Sequence, residues 1–317
     1  MPTCTGYVYD DIFLDHELEP FHPESPLRLA ALHAMVSESG LLDRLERIPL
    51  HDDEKKVLHY IETVHTPRHI RDVMNYGTTG IVALKAVAGI MAAVDAVCGK
   101  KITNAFCALR PPGHHAHNNV NNDGAGKGEG FCFINNIAVA ARYAQQEWKL
   151  KNVLIVDWDY HHGNGTEDVF YEDPTVFFFS THRLSTYPGT GHPMRRGKGL
   201  GMGFNCNIPL PSPDNPYGMV TDEHLLDAFD NYLLPQLDEV KFVPDIVLIS
   251  AGFDSREKDF LGDFSLTDDG FYRITKKVVA LATKTCNGRI VSTLEGGYNP
   301  EGLASAAMAH INALLGV

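Results

Sequence analysis

The chain has 317 residues, 44% of them hydrophobic, and its 27 Lys and Arg against 40 Asp and Glu give a formal charge of −13 with 16 neutral histidines. This hydrophobic content supports a large core and excludes intrinsic disorder of the whole chain. The acidic excess repels phosphate backbones, which argues against nucleic acid as a partner and favours a cationic partner such as a lysine-rich tail or a polyamine.

The predicted elements begin with a helix near residue 25. Ser25 and Pro26 are typical of an N-cap and a first helical residue, an apolar stripe follows, and Gly40 is a typical stop. Further helices are predicted over residues 222–240, kinked at Pro235, over 265–286 and over 300–315. Between them, continuous apolar runs predict buried strands over residues 105–109, 153–157, 176–180, 245–250 and 289–294. Alternating strands and helices indicate one α/β domain over residues 1–317, a parallel sheet with helices on both faces.

The termini and cysteines suggest a protein of a reducing compartment. No signal peptide is visible, and the apolar stretch at residues 81–98 contains Lys85 and Asp95 and falls short of a clean membrane span. The six cysteines form no CxxC pair and are expected to be buried thiols. We therefore expect a cytoplasmic protein without a membrane segment.

Polar residues follow five of the predicted strands, at the edge where open parallel sheets bind ligands. After residues 153–156, Asp157, Asp159 and His161 alternate along an extended segment and point to one side. Asp254, past another strand, supplies a further carboxylate. Two carboxylates and one imidazole suit a catalytic zinc ion with an open position. The alternative is an Asp-rich loop that caps a helix starting near Gly165.

Two other loops carry candidate catalytic groups. His114 and His115 follow a rigid Arg-Pro-Pro-Gly turn, and a histidine near a metal site is a usual general base. Tyr298 follows Glu295-Gly-Gly, where Gly296 and Gly297 let the backbone approach a ligand and the phenol can donate to an oxyanion. The alternative for His114 and His115 is a pair of solvated loop histidines. The alternative for the Glu295–Tyr298 segment is a simple turn.

Seven segments together resemble the zinc-dependent histone deacetylase family, which includes bacterial acetylpolyamine amidohydrolases. They run in family order along almost the whole chain: His22-Pro-Glu-Ser-Pro-Leu-Arg28, Arg110-Pro-Pro-Gly-His-His-Ala116, Gly130-Phe-Cys-Phe-Ile-Asn-Asn136, residues 157–165, Pro188-Gly-Thr-Gly191, Ala251-Gly-Phe-Asp254 and Glu295-Gly-Gly-Tyr-Asn299. The resemblance implies an arginase/deacetylase-like α/β fold, with the active site at the carboxyl ends of the strands, and hydrolysis of an acylated amine.

The resemblance also implies roles in catalysis. Asp159, His161 and Asp254 match the zinc ligands. His115 matches the general base that deprotonates the water and then protonates the leaving amine. Further matches are a second histidine, His114, held by Asp157, and Tyr298 as the donor to the acyl oxygen.

Substrate and cation sites follow from the same resemblance. Phe131 and Tyr187 match the walls of an acyl-lysine tunnel, and Gly130 matches the backbone carbonyl beside it. Leu261 matches the residue at the tunnel rim. Arg28 matches an arginine near an acetate-release cavity. A potassium site matches Asp157 and Ser180, with backbone carbonyls of Asp159, His161 and Thr181. A second potassium site is transferred to Phe170, Asp173, Val176 and Phe204.

Four departures from the family pattern are visible. Asn164 stands where class I members carry Asp, as in class II members, so we expect a lower pKa for His115. The insertion at residues 117–129 is long and rich in Asn and Gly, and predicts a mobile loop at the mouth. The segment 75–79 is short and lacks an acidic residue to grip peptide backbone. Leu261 at the rim argues against a strictly polyamine-selective tunnel.

Three functions remain open at this point. The first is a metal-dependent deacetylase acting on acetyl-lysine protein, acetylpolyamine or another acylated amine. The second is an arginase-like binuclear manganese hydrolase. The third is an acyl-lysine binding protein without turnover. The sequence does not choose the substrate, the acyl length or the oligomeric state.

Overall fold

An eight-stranded sheet in which every neighbouring pair of strands is parallel organises the chain. The computed structural model describes residues 4–118, 129–184, 186–211 and 218–317. Within these ranges the strands are β1 (Thr5–Val8), β2 (Leu45–Arg47), β3 (Asn104–Cys107), β4 (Val153–Asp157), β5 (Val176–His182), β6 (Asn205–Pro209), β7 (Ile246–Ala251) and β8 (Ile290–Leu294). Their spatial order is β2-β1-β3-β8-β7-β4-β5-β6.

Two groups of helices cover the sheet. In the described ranges the α-helices are α1 (Pro26–Glu38), α2 (Glu54–Ile61), α3 (Pro67–Met74), α4 (Thr78–Cys98), α5 (Asn136–Gln146), α6 (Asn164–Phe170), α7 (Asp222–Ala228), α8 (Leu234–Glu239), α9 (Asp268–Cys286) and α10 (Pro300–Leu315). Helix α4 packs with α2, α3 and α5, while α10 packs with α1 and α9. Every residue of β3, β4, β7 and β8 is buried, as expected for strands covered on both faces.

Helix α4 is the most apolar long helix of the described residues. By length and composition alone its 21 residues could cross a membrane, but 72% of its most apolar window is buried inside the protein. Its two charged residues are paired at the surface, Lys85 with Glu54 and Asp95 with His51. In this fold α4 is therefore a core helix.

The predicted elements are present, with changes at their boundaries. The five predicted strands are β3, β4, β5, β7 and β8, and four of them begin or end one or two residues from the predicted positions. The helix predicted over residues 222–240 is divided into α7, a π-helical turn at Phe229–Leu233 and α8, because Pro235 has no N–H to donate. The helix predicted from residue 265 begins at Asp268, since the Thr267 hydroxyl caps it by accepting from the Gly270 N–H at 3.2 Å.

Strand register brings the polar loops to one edge. Asp157 at the end of β4 pairs with Ser180 of β5 and Ser250 of β7, and Ser250 pairs with Thr293 of β8. The strands therefore end almost level, so the loops that follow them converge. This is the edge at which the sequence predicts the site.

Candidate functional site

Two carboxylates and an imidazole from two loops meet at this edge. Asp159 and His161 follow β4, Asp254 follows β7, and their ligand atoms all lie within 4.8 Å of one another. His161 Nδ1 lies 2.9 Å from Asp254 Oδ2 and 3.3 Å from Asp159 Oδ1. Both carboxylates are fully buried. The three residues predicted as metal ligands are thus brought together.

Backbone N–H groups hold the other faces of these carboxylates. The Gly296 N–H donates to Asp159 Oδ2 at 2.8 Å, and the Tyr160 N–H donates to Asp254 Oδ1 at 2.9 Å. A Cβ on Gly296 would lie 2.6 Å from Asp159 Oδ2 and even closer to Asp254 Oδ2. The glycine is therefore required for the loop after β8 to approach the carboxylates this closely.

The electrostatics of the three residues call for a cation. Burial and the neighbouring Asp159 raise the pKa of the Asp254 carboxyl to about 7. Burial alone would lower the pKa of His161, but its bonds to the two carboxylates outweigh burial and raise it to about 10. A proton on the imidazole thus offsets part of the negative charge of the two buried carboxylates. Oxygen and nitrogen donors in this arrangement fit a divalent ion such as zinc in place of that proton.

The two histidines after β3 have opposite electrostatic surroundings. His114 Nδ1 lies 3.0 Å from Asp157 Oδ2, and His115 Nδ1 lies 2.7 Å from Asn164 Oδ1. Burial lowers the pKa of His114, but Asp159, Asp157 and Glu295 outweigh it and hold this pKa well above its usual value. Burial, together with the charges of His114 and His161, holds the pKa of His115 well below its usual value.

That Asn164 leaves the pKa of His115 lower than an Asp would stays a prediction, because the low value has other causes. Burial is its largest cause, and the hydrogen bond to Asn164 acts in the raising direction. His115 is therefore a neutral base poised next to a cationic His114.

Tyr298 completes the group from the loop after β8. Its ring packs edge-on against Phe131, with centroids 5.9 Å apart, and the Arg28 guanidinium lies 4.9 Å from its centroid. Burial and the charge of Asp254 hold the pKa of the phenol well above its usual value. The hydroxyl therefore keeps its proton at neutral pH and can donate it in a hydrogen bond.

Two aromatic residues adjoin different members of the site. Phe131 packs on Tyr298, while the ring of Tyr187 lies edge-on 5.0 Å from that of His115. Gly130 has φ +51°, and a Cβ there would collide with the His115 ring and lie 2.7 Å from Tyr187. Leu261 is 40% exposed, as a rim residue would be. Gly130, Phe131 and Tyr187 thus lie beside His115 or Tyr298, and the tunnel with Leu261 at its rim stays a prediction.

A buried ion network lies beside Tyr298. Arg28 donates to the backbone carbonyls of Gly297 and Glu295 and to Glu24 Oε1, the last at 2.8 Å. Glu24 also accepts from Arg110 at 2.6 and 2.7 Å. Sequence reasoning identified Arg28 but assigned nothing to Glu24, although Glu24 lies inside the His22–Arg28 segment that carried the resemblance.

The predicted potassium residues have protein partners of their own. Asp157 and Ser180 are neighbours in the sheet, and the Ser180 hydroxyl lies 3.0 Å from His182 Nδ1. At the second predicted site, the Asp173 carboxylate binds Arg142 at 2.6 Å, and the Phe204 carbonyl accepts from the Phe178 N–H at 2.9 Å. Both sites stay predictions, with Thr181 beside the first and Phe170 and Val176 beside the second.

Within the described part of the chain, one further group could bind a metal: His114, Cys132 and Glu295. Burial raises the pKa of the Cys132 thiol, which disfavours the thiolate that metals require. Glu295 already accepts from the Gly113 N–H at 2.7 Å and the Ser250 hydroxyl at 3.0 Å. This group therefore supports the loops rather than a second ion.

Two predicted loop features have different outcomes. Helices α3 and α4 are separated by three residues, 75–77, none of them acidic, as the short segment predicted. The insertion predicted to be mobile lies largely outside the described residues, since only His117, Asn118 and Glu129 of it are described.

Comparisons with known proteins agree on one family. The sequence model of the histone deacetylase domain matches residues 22–314. The chain is 38% identical over 314 residues to a probable deacetylase of Archaeoglobus fulgidus, covering 94% of this chain and 82% of that protein. It is 38% identical over 305 residues to histone deacetylase 10, chloroplastic, of Oryza sativa subsp. japonica, covering 95% and 63%.

Other relatives are longer than this chain. Histone deacetylase 6 of Caenorhabditis elegans is 37% identical over 331 residues, which cover 95% of this chain but 32% of that protein. Among solved structures, the crystal structure of the HDA15 HD domain superposes with a TM-score of 0.87 at 32% identity, covering all of this chain and 89% of that one. The match thus extends over nearly all of this chain and over part of the longer relatives.

Proposed function

The chain belongs to the histone deacetylase family, and we propose that it is a zinc-dependent hydrolase that removes acetyl or other acyl groups from lysine side chains of proteins or peptides. The observation that carries the proposal is the meeting of Asp159, His161 and Asp254 beside His115 and Tyr298. A metal site, a neutral base and a protonated phenol are the parts that amide hydrolysis requires.

Asp159, His161 and Asp254 would hold the zinc ion. Their donor set of two carboxylates and one imidazole balances the charge of a divalent ion, and three protein ligands leave a position open. When bound, zinc supplies Lewis acidity at neutral pH.

The chain's own residues move the protons. His115, neutral and with its Nδ1 bonded to Asn164, takes a proton from the attacking water as the C–O bond forms. It then gives a proton to the amine nitrogen as the C–N bond breaks. Cationic His114 and the Tyr298 hydroxyl stabilise the negative charge that develops on the acyl oxygen.

The proposed tunnel residues support an extended acyl-amine substrate. Phe131 and Tyr187 present rings beside Tyr298 and His115, and the rim residue Leu261 is apolar. An apolar passage suits the methylene chain of lysine and leaves its peptide backbone outside. The formal charge of −13 favours a cationic substrate segment.

We further propose a cytoplasmic location and a bound potassium ion at Asp157 and Ser180. All six cysteines are unpaired, four of them buried, which fits a reducing compartment. The fully buried Asp157 carboxylate lies level with Ser180 at the ends of β4 and β5, where a monovalent cation would offset its charge.

Steady-state kinetics on three substrates tests the function. We expect kcat/KM to be highest on an acetyl-lysine peptide, lower on N-acetylputrescine, and measurable on a longer acyl-lysine peptide. Chelation should abolish turnover and zinc should restore it, with about one zinc per chain by elemental analysis. Preference for N-acetylputrescine would overturn the substrate assignment, and two manganese ions per active chain would overturn the zinc mechanism.

A further inference from the structure

His117 and Glu129, at the two described ends of the 117–129 segment, form a half-buried pair next to the site. Glu129 Oε2 lies 2.8 Å from His117 Nδ1 and 2.7 Å from the His117 backbone nitrogen. On its other edge, His117 Nε2 lies 3.5 Å from Asn164 Nδ2. Asn164 in turn faces His115, so the pair lies directly behind the partner of the proposed base.

The hydrogen bonds that link Glu129, His117, Asn164 and His115 have one consistent direction. A carboxylate can only accept, so His117 Nδ1 carries the proton that Glu129 binds. In neutral His117 the Nε2 atom is then an acceptor, which suits the NH₂ end of the Asn164 amide. The Asn164 oxygen is thereby turned to His115 Nδ1, 2.7 Å away.

Amide orientation matters because the two ends of an asparagine have nearly the same shape and opposite hydrogen-bonding character. With its oxygen toward His115, Asn164 requires a proton on Nδ1 and leaves the lone pair on Nε2. With its NH₂ toward His115, it requires the opposite tautomer, whose Nε2 cannot take a proton. An Asp at this position would accept in either orientation.

We propose that Glu129 and His117 set the amide orientation of Asn164 and through it the tautomer of His115, which makes both of them positioning residues. The inference rests on the proposed function, since the lone pair on His115 Nε2 is what takes the proton of the attacking water. It gives the 117–129 segment a role at both of its ends.

The charge of His117 decides whether its Nε2 can accept. Burial lowers the pKa of His117, but the hydrogen bond and charge of Glu129 and the charge of Asp168 outweigh burial and raise it. Nearby His65 and His69 have pKa values lowered chiefly by burial. In protonated His117 the Nε2–H donor would face the NH₂ donor of Asn164. We therefore expect kcat to rise with pH as His117 loses its proton.

A double-mutant cycle tests this arrangement. His117→Leu should lower kcat roughly tenfold with little change in KM, as expected when a partner behind a catalytic group is removed. In the Asn164→Asp background the same change should have no further effect. His33→Leu, which alters another half-buried histidine packed on Tyr9, serves as the matched control. If His117→Leu lowers kcat equally in the wild-type and Asn164→Asp backgrounds, the effect comes from packing alone and the proposal is overturned.

Glu129→Gln is a gentler second variant. Its amide oxygen can still accept from His117, but the charge that raises the pKa of His117 is gone. We expect the acidic limb of the kcat profile to move to lower pH, with full activity on the alkaline side. An unmoved acidic limb would contradict the role of the pair.

Ring-¹⁵N spectra of zinc-loaded, histidine-labelled protein separate this inference from the proposed function. The His115 signals, identified by their loss in His115→Gln, should report the Nδ1–H tautomer in the wild type and a mixture in His117→Leu. Unchanged signals in His117→Leu would overturn the inference. If no acylated amine is hydrolysed, the proposed function fails, and the spectra still decide whether the pair sets the tautomer.

Discussion

At the scale of single residues, the Tyr298 hydroxyl is the most direct test of the proposed chemistry. Tyr298→Phe keeps the ring against Phe131 and Arg28 but removes the donor. Loss of one directed donor to an oxyanion typically lowers kcat by about 10²–10³-fold, so we expect that decrease with little change in KM. Steady-state kinetics on an acetyl-lysine peptide gives the measurement.

The matched control for Tyr298→Phe is Tyr232→Phe, since Tyr232 is 53% exposed on the π-helical turn. It should retain wild-type turnover, and zinc content should be the same in both variants. Wild-type turnover in Tyr298→Phe would remove the phenol from the mechanism.

Residues of the site were predictable where a local pattern carries them. Alternate positions after a strand identified Asp159 and His161, and the place of Asp254 after another strand identified the third ligand. Glu24 was missed because its partner Arg110 is 86 residues away, and only the folded chain brings the two together. The pairing of His117 with Glu129 was missed for the same reason, across twelve positions of a segment read as loop.

At the scale of elements, the Asp259 carboxylate joins the loops that follow β7 and β8. Its Oδ2 accepts from the N–H groups of Tyr298 at 2.6 Å and Asn299 at 3.1 Å. Its Oδ1 accepts from those of Leu261 at 2.9 Å and Gly262 at 3.3 Å. One side chain thus joins the backbone of the proposed catalytic Tyr298 to that of Leu261.

Asp259→Asn should loosen this connection. An amide of the same size offers one oxygen, and its NH₂ end would face backbone donors, which costs about 1–3 kcal/mol for the unsatisfied groups. We expect kcat to fall roughly tenfold as Tyr298 loses its position, with a lower midpoint of thermal unfolding. Asp269→Asn, at a largely exposed residue of α9, should change neither quantity. An unaltered kcat in Asp259→Asn would show that Tyr298 is positioned by other contacts.

Prediction of the strands succeeded where burial produces a continuous apolar run, and it missed β1, whose four buried residues include Thr5 and Gly6. The central strands β4, β7 and β8 are buried along their whole length, so their sequences are continuously apolar. The strands β2 and β6 lie at the two edges of the sheet, and polar residues interrupt both. Arg47 of β2 is exposed, and Asn205 of β6 is buried but donates to Glu167 at 2.9 Å. Edge strands of this kind carry no apolar run that sequence reasoning can detect.

At the scale of the whole molecule, buried neutral histidines couple stability to pH. Burial lowers the pKa of His310 to about 3, and burial with the charge of His69 lowers that of His65 to about 3. An unfolded histidine titrates near pH 6.5. The contribution of these two histidines to stability is therefore complete above about pH 6.5 and is lost as pH falls towards 3. The reason is that histidines of the unfolded chain bind protons in this range while the buried histidines stay neutral.

A substitution isolates this contribution from the histidines of the active site, of which His114 and His161 act in the opposite direction. His310 bonds Thr275 at 2.7 Å and Ser292 at 2.8 Å, and Gln can retain such bonds. The pKa of His310 is lowered by burial and not by the charges of the active site. Between about pH 6 and 4.5 the free energy of unfolding of the wild type should fall more steeply than that of His310→Gln, by about 1.4 kcal/mol per pH unit.

Urea titrations at several pH values measure these slopes. The His310→Gln substitution is expected to lower stability at pH 8, since it disturbs the core, and the prediction concerns only the change of stability with pH. His59→Gln, at an exposed histidine of α2, is the control substitution and should leave the slope as it is in the wild type. Equal slopes in all three proteins would mean that His310 accepts a proton inside the folded core, contrary to the burial that surrounds it.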